Sequence, residues 1–246
     1  MKIKYLLPAF LTSYACIGSA QNLTAFDGPY IGIAAGWNKT SVSEGDINWS
    51  APSPATPATA SGGQNSSASG GIVGINYGFN YRMNNLVLGG ELSASMLSGT
   101  ANGYAATTQV GGGATSISSS TQIKSLFAAK PKVGYVLEDN KTMLYGMAGV
   151  VVGEIKRSIT QGDGVEFLNT GTTVSNTKSN QFGYTLGAGV ERMISEQLSI
   201  KFELNYVNLG NANFTYTGPL TPVTATMTQN VKVTNMATTL GLNYKF

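Results

Sequence analysis

Apolar and polar residues alternate along most of this chain with a period of two. The last stretch, Val231 to Phe246, shows it best. Met236, Thr238, Leu240, Leu242, Tyr244 and Phe246 form one series, and Asn235, Ala237, Thr239, Gly241, Asn243 and Lys245 the other. Successive side chains of a strand point to opposite faces, so this stretch has one oily and one wet face. The first strand, Tyr30 to Trp37, sets Ile31, Ile33, Ala35 and Trp37 against Tyr30, Gly32, Ala34 and Gly36. Gly70 to Arg82 sets Val73, Ile75, Tyr77, Phe79 and Tyr81 against Gly74, Asn76, Gly78 and Asn80. Leu86 to Leu97 sets Leu88, Leu92 and Met96 against Gly89, Glu91, Ser93 and Ser95.

Thr121 to Val136 reads as Ile123, Phe127, Val133 and Tyr135 against Lys124, Lys130, Lys132 and Gly134, with a bulge or kink expected at Pro131. Met143 to Glu154 alternates poorly, and its faces stay unassigned. Gln181 to Met193 sets Phe182, Tyr184, Leu186, Ala188 and Val190 against Gly183, Gly187, Gly189 and Glu191. Leu198 to Leu209 sets Ile200, Phe202, Leu204 and Tyr206 against Lys201, Glu203 and Asn205. The pattern predicts eight strands.

The connections alternate as well. Long ones, at about 40–69, 99–120, 155–180 and 210–230, take turns with short ones at Met83–Asn85, Leu137–Lys141 and Ile194–Gln197. An up-and-down order puts every long loop at one end and every short turn at the other. That sorting, with charged in-strand residues opposite the oily faces, predicts an all-β, eight-stranded antiparallel transmembrane barrel with polar groups inside. A lipocalin-like barrel would keep its charges outside. Closure leaves no unpaired strand edge to lipid. Tyr81, Tyr135, Trp37, Tyr244 and Phe246, near strand ends, suit two interfacial girdles.

Composition sharpens this picture. Charged residues make up 11%, and there is no histidine. His-based acid–base catalysis and the usual zinc and haem ligands are therefore absent, and neither enzyme activity, cofactor nor metal is expected. Met1 to Ala20 reads as a secretory leader: Lys2 and Lys4, an apolar middle from Tyr5 to Ile17, and the small residues Gly18-Ser19-Ala20. Pro8 and the short apolar run argue against a membrane helix, and Ser13-Tyr14-Ala15 before Cys16 fits a lipoprotein signal poorly. Residues 21–246 then form the barrel. Without the leader's two lysines, 13 basic residues face 12 acidic ones, so no field for nucleic acid follows. Cys16 is the only cysteine, so the barrel has no disulfide.

Gly28-Pro29-Tyr30-Ile31-Gly32, Lys130-Pro131-Lys132-Val133-Gly134-Tyr135, the stretch from Phe182 through Tyr206, and the ending Gly241-Leu242-Asn243-Tyr244-Lys245-Phe246 resemble the small outer-membrane β-barrel family, which includes OmpA-like and porin-like surface-antigen barrels. The resemblance implies an integral outer-membrane protein of a Gram-negative bacterium. It also implies that Leu242, Tyr244 and Phe246 form a signal for the barrel-assembly machinery. Expected partners are outer-membrane lipid, lipopolysaccharide, that machinery and a host surface ligand.

Glu91, Lys130, Lys132, Glu191, Lys201 and Glu203 are expected inside. They read as a salt-bridged plug, with a channel or gate as the alternative, because eight strands leave a lumen that side chains can fill. The role expected is structural and surface-exposed; the alternative is a narrow porin. In the loops, Tyr104, Phe167, Phe214 and Tyr216 are possible contact residues, or pack the loop bases.

Overall fold

The structure is a computed structural model and describes residues 25–50, 59–60, 64–108, 114–161, 173–220 and 223–246. The expected leader, Phe167 and the tips of the long connections lie outside these residues. Among the described residues ten strands form: β1 (Gly28–Ser50), β2 (Thr59–Ala60), β3 (Asn65–Met83), β4 (Leu86–Leu97), β5 (Ala101–Thr108), β6 (Ala114–Val136), β7 (Thr142–Gln161), β8 (Thr173–Met193), β9 (Leu198–Leu220) and β10 (Val223–Lys245). Eight of them close a ring in the order β1-β3-β4-β6-β7-β8-β9-β10, sealed by antiparallel pairing of β10 with β1. β5 carries on from β4 beyond Gly99 and pairs with the upper part of β6, and the two-residue β2 pairs with β1. The eight-stranded barrel expected from alternation is present.

The short turns gather at one end. Asn84 and Asn140 hold the left-handed conformation there, with φ of 54° and 53°, which asparagine tolerates better than most residues. Asp139 caps its turn by accepting from the amides of Lys141 and Thr142 at 3.0 and 2.9 Å. The start of β1 and the end of β10 meet at the same rim, where Tyr30 faces Lys245.

Side chains sort as the alternation predicts across the lower barrel. Ile33 lies in register between Leu242 and Ile75, and the three are 61, 43 and 61% exposed on the outer face. Their neighbours on the same strands point inward. On β10 the outward apolar run lasts from Phe246 to Met236. At about 3.3 Å per residue and a tilt near 40°, that is roughly the 25 Å band of an outer-membrane barrel.

Four findings depart from expectation. The strands run well into the stretches read as long loops: β1 reaches Ser50, β6 begins at Ala114, β7 reaches Gln161 and β9 reaches Leu220. In this extension the sorting reverses. Val42, Ile155, Ile159, Ala212, Phe214, Val231 and Val233 point inward, and Ser41, Ser43, Lys156, Ser158, Asn211 and Lys232 point outward. Outside the bilayer the medium is water, so apolar groups gain by facing the axis.

Second, Ile123 is inside and Lys124 outside. A bulge pairs Ile123 with Ile155 and Ser125 with Glu154, leaving Lys124 as the extra residue. The inserted residue turns the upper half of β6 over. Third, Pro131 makes no bulge. Ala129 pairs with Val150 and Lys132 with Met147 in one unbroken register, so the missing amide interrupts the ladder without shifting it. Fourth, β7 has assignable faces. Met143, Tyr145, Met147 and Val151 point inward, and Leu144 and Val150 outward. Large apolar residues on both faces hide the alternation in the sequence.

Candidate functional site

All six charged residues expected inside are buried in the lumen, and the structure brings them together at one level. Glu91 on β4 lies directly opposite Lys130 on β6, and the Lys130 ammonium donates to its carboxylate at 2.9 Å. Lys201 on β9 reaches the other oxygen of Glu91 at 3.1 Å. Both lysines also approach Glu203, at 3.4 and 3.5 Å. Lys132 sits 3.9 Å from Glu191, whose carboxylate accepts from Ser199 at 2.5 Å and Asn243 at 2.9 Å. Three cations thus meet three anions. Buried charges of this kind persist only when paired and hydrogen-bonded.

Sequence reading missed the neutral half of this network. Tyr30 on β1 donates to Glu91 at 3.2 Å and accepts from Lys132 at 2.8 Å. Tyr145 on β7 donates to Glu203 at 3.1 Å. Asn76 on β3 donates to Asn243 on β10 at 3.1 Å. With these, every strand of the ring contributes a side chain to one layer across the lumen. Two glycines make room for the rings: a Cβ at Gly78 would fall on the Tyr30 ring, and one at Gly189 on the Tyr145 ring. The signal was legible, since Tyr30 and Gly78 lie on the small-and-polar faces of paired strands.

Above the ionic layer the lumen turns apolar. Val42, Ile72, Leu97, Ile123, Leu126, Val151, Ile155, Val207, Leu209, Phe214, Val231 and Val233 form one buried cluster. Phe214, a possible surface contact from sequence, is 1% exposed and belongs to this plug. Tyr104 and Tyr216 fall on β5 and β9. Set into the cluster is a second ion pair, whose two residues the sequence pattern assigns to two separate long connections. The Arg157 guanidinium donates to Glu44 at 3.1 and 3.2 Å, to Thr121 at 2.9 Å and to Gln229 at 2.7 Å. Glu44 also accepts from Ser119 at 2.6 Å.

Between ionic layer and apolar plug lies a cavity of about 70 Å³, bordered by Lys130, Lys201, Asn205 and Asn235. It has room for water and holds the carbonyl oxygens of Asn205 and Asn235, which have no protein partner. Below the ionic layer, Phe26, Val87, Val136, Met143 and Met193 close the base. On the outer face of the closing strand, Leu242, Tyr244 and Phe246 stand in a row toward lipid, with Tyr244 and Phe246 packed edge-on at 5.5 Å.

Set beside known proteins, this geometry has clear relatives. The profile of the outer membrane protein beta-barrel domain matches residues 9–246. The chain belongs to that family. It is 29% identical over 189 residues to the 31 kDa outer-membrane immunogenic protein of Brucella melitensis, covering 76% of this chain and 70% of the relative. Among solved structures, the outer membrane protein OprG of Pseudomonas aeruginosa superposes with a TM-score of 0.51 at 15% identity, over 91% of this chain and 98% of that one. The outer membrane protease OmpT of Escherichia coli gives a TM-score of 0.50 at 12% identity, over 90 and 97%. These two likenesses speak to the fold alone. The chain is thus an integral outer-membrane barrel.

Proposed function

We propose that this barrel is a non-conducting, non-enzymatic structural protein of the outer membrane that displays its strand extensions at the cell surface. The observation that carries the reading is the filled lumen: an eight-strand ionic layer, then an apolar plug enclosing the Arg157–Glu44 pair. A porin needs a continuous wet path, and two desolvated layers in series oppose one. The immunogenic character named for the Brucella relative supports surface display and host or ligand contact through the outer connections. In the same reading, Leu242, Tyr244 and Phe246 present the closing strand to the assembly machinery.

The test is conductance of the purified protein in planar bilayers. We expect no stable steps above the leak of the bare membrane. Large, reproducible, ion-selective steps would overturn the reading and favour the narrow porin.

A further inference from the structure

The chain enters β1 through a strained turn. Among the described residues three non-glycine positions have a left-handed backbone. Asn84 and Asn140 tolerate it in their turns. The third is Phe26, with φ of 67°. For a bulky residue that conformation is an outlier, and it persists only where its surroundings impose it. Here the imposing contact is burial. The Phe26 ring is 3% exposed and packs among Val87, Val136, Met143 and Met193 at the turn end of the lumen. That end faces the periplasm in an outer-membrane barrel.

Residues 25–27 lie over this mouth as a strap. Among the described residues, both hydrogen bonds that fasten them to the barrel come from Arg82. Its guanidinium donates to the Ala25 carbonyl at 3.2 Å, and its backbone amide to the Asp27 carboxylate at 3.0 Å. The same guanidinium is anchored by the Asn84 carbonyl and the Asn140 side chain, both at 2.6 Å, at a rim that water reaches. Bonds there contribute little net free energy, because water replaces them when they break. Gly28 follows at once, with φ of 99° and no atom within 4 Å of the place a Cβ would take. A glycine in open space beside a seated ring can serve as a hinge.

Behind the ring lies a cavity of about 10 Å³, bordered by Tyr30, Asn80, Glu191, Ser199 and Asn243. That is room for about one water. Two oxygens on these residues, Asn80 Oδ1 and Glu191 Oε2, have no hydrogen-bond partner among the described residues, and the Lys132 ammonium stands 3.9 Å from the second. Buried acceptors left in this state gain by meeting water. Backbone strain and these two oxygens favour lifting the strap, whereas burial of the ring and the Arg82 bonds favour seating it. The opposing contributions meet in one three-residue element.

We propose that residues 25–27 form a displaceable lid whose Phe26 ring shuts the ionic layer off from the periplasm and whose latch is Arg82. With the ring out, water and small solutes reach Glu191 and Tyr30 from the turn end. The apolar plug beyond the ionic layer takes no part, so lid opening is separate from conduction.

The experiment is thiol labelling of the full protein in lipid vesicles with a small cationic methanethiosulfonate, read by mass spectrometry of the labelled peptide. Asn80→Cys puts a reporter on the cavity behind the ring and leaves every ion pair of the lumen intact. Val231→Cys puts a second reporter in the apolar plug. We expect Phe26→Ala to speed labelling at position 80 by about tenfold or more, since labelling follows the open population. Arg82→Gln, which keeps the ring and loses the latch, should speed it by about threefold or more. Phe26→Leu, which refills the mouth, should label as slowly as the parent, and position 231 should stay slow throughout. Heat-modifiable gel mobility confirms that each variant is folded. Labelling at position 80 as fast in the parent as in Phe26→Ala overturns the proposal, because the ring then seals nothing. So does an Arg82→Gln rate equal to the parent's, which would mean that Arg82 holds no latch. So does equal acceleration at position 231, which would mean that the variants loosen the whole barrel.

Discussion

Glu91 shows what one side chain does in this lumen. It accepts from Lys130, Lys201 and Tyr30, and it is 4% exposed. Its removal leaves two ammonium groups sharing Glu203 in a space closed to bulk water. Breaking a buried pair from one side costs about 3–5 kcal/mol, because the stranded charge keeps its desolvation penalty. Glu91→Ala should lower stability by about that much in urea unfolding from lipid vesicles. A loss below about 1 kcal/mol, typical of solvated pairs, would mean that water already screens these lysines. The closed-lumen reading would then weaken with it.

At the scale of the strand, the medium decides which face is apolar. Ile33 faces lipid between Ile75 and Leu242, and Ser41 on the same strand faces outward beyond the apolar band. An arginine at the bilayer midplane costs about 2–4 kcal/mol, against about 0–1 near the interface. Ile33→Arg should therefore destabilise the vesicle-inserted barrel by about 2–4 kcal/mol and Ser41→Arg by less than about 1. Equal costs would place the membrane elsewhere. The same physics explains what could be read from the sequence. Strands with apolar residues on one face and small or polar ones on the other, such as the Phe182 and Leu240 stretches, were legible, and so were the charges they turn inward. β7 was not, because Met143, Tyr145 and Met147 fill the lumen while Leu144 and Val150 face lipid. Arg157 was missed for another reason. Ile155, Arg157 and Ile159 against Lys156, Ser158 and Thr160 is a clean alternation, but with apolar groups inward. A search for lipid-facing strands reads it as the wrong sign and leaves it in a loop. The β6 bulge was invisible because one inserted residue reverses the faces with no mark in composition.

For the whole molecule, the lumen is a series of barriers rather than one gate. The ionic layer around Glu91 and the apolar plug around Phe214 and Val233 occupy successive levels of the same tube. Resistances in series add, so the tighter barrier sets the current. Widening only the plug, with Phe214→Ser and Val233→Ser, should leave the barrel silent in planar bilayers, because the paired lysines and glutamates still span the bore beneath. Shaving only the ionic layer, with Glu91→Ala, Lys130→Ala and Lys201→Ala, should leave it silent too, since an apolar plug stays dry. Only the combined variant, folded as judged by gel mobility, should pass ions in steps clearly above the parent. Conduction by the plug variant alone would show that the ionic layer is already permeable to water and ions. In that event the lumen would hold a single barrier, and its charged layer would act as a selectivity filter beneath it rather than as a seal.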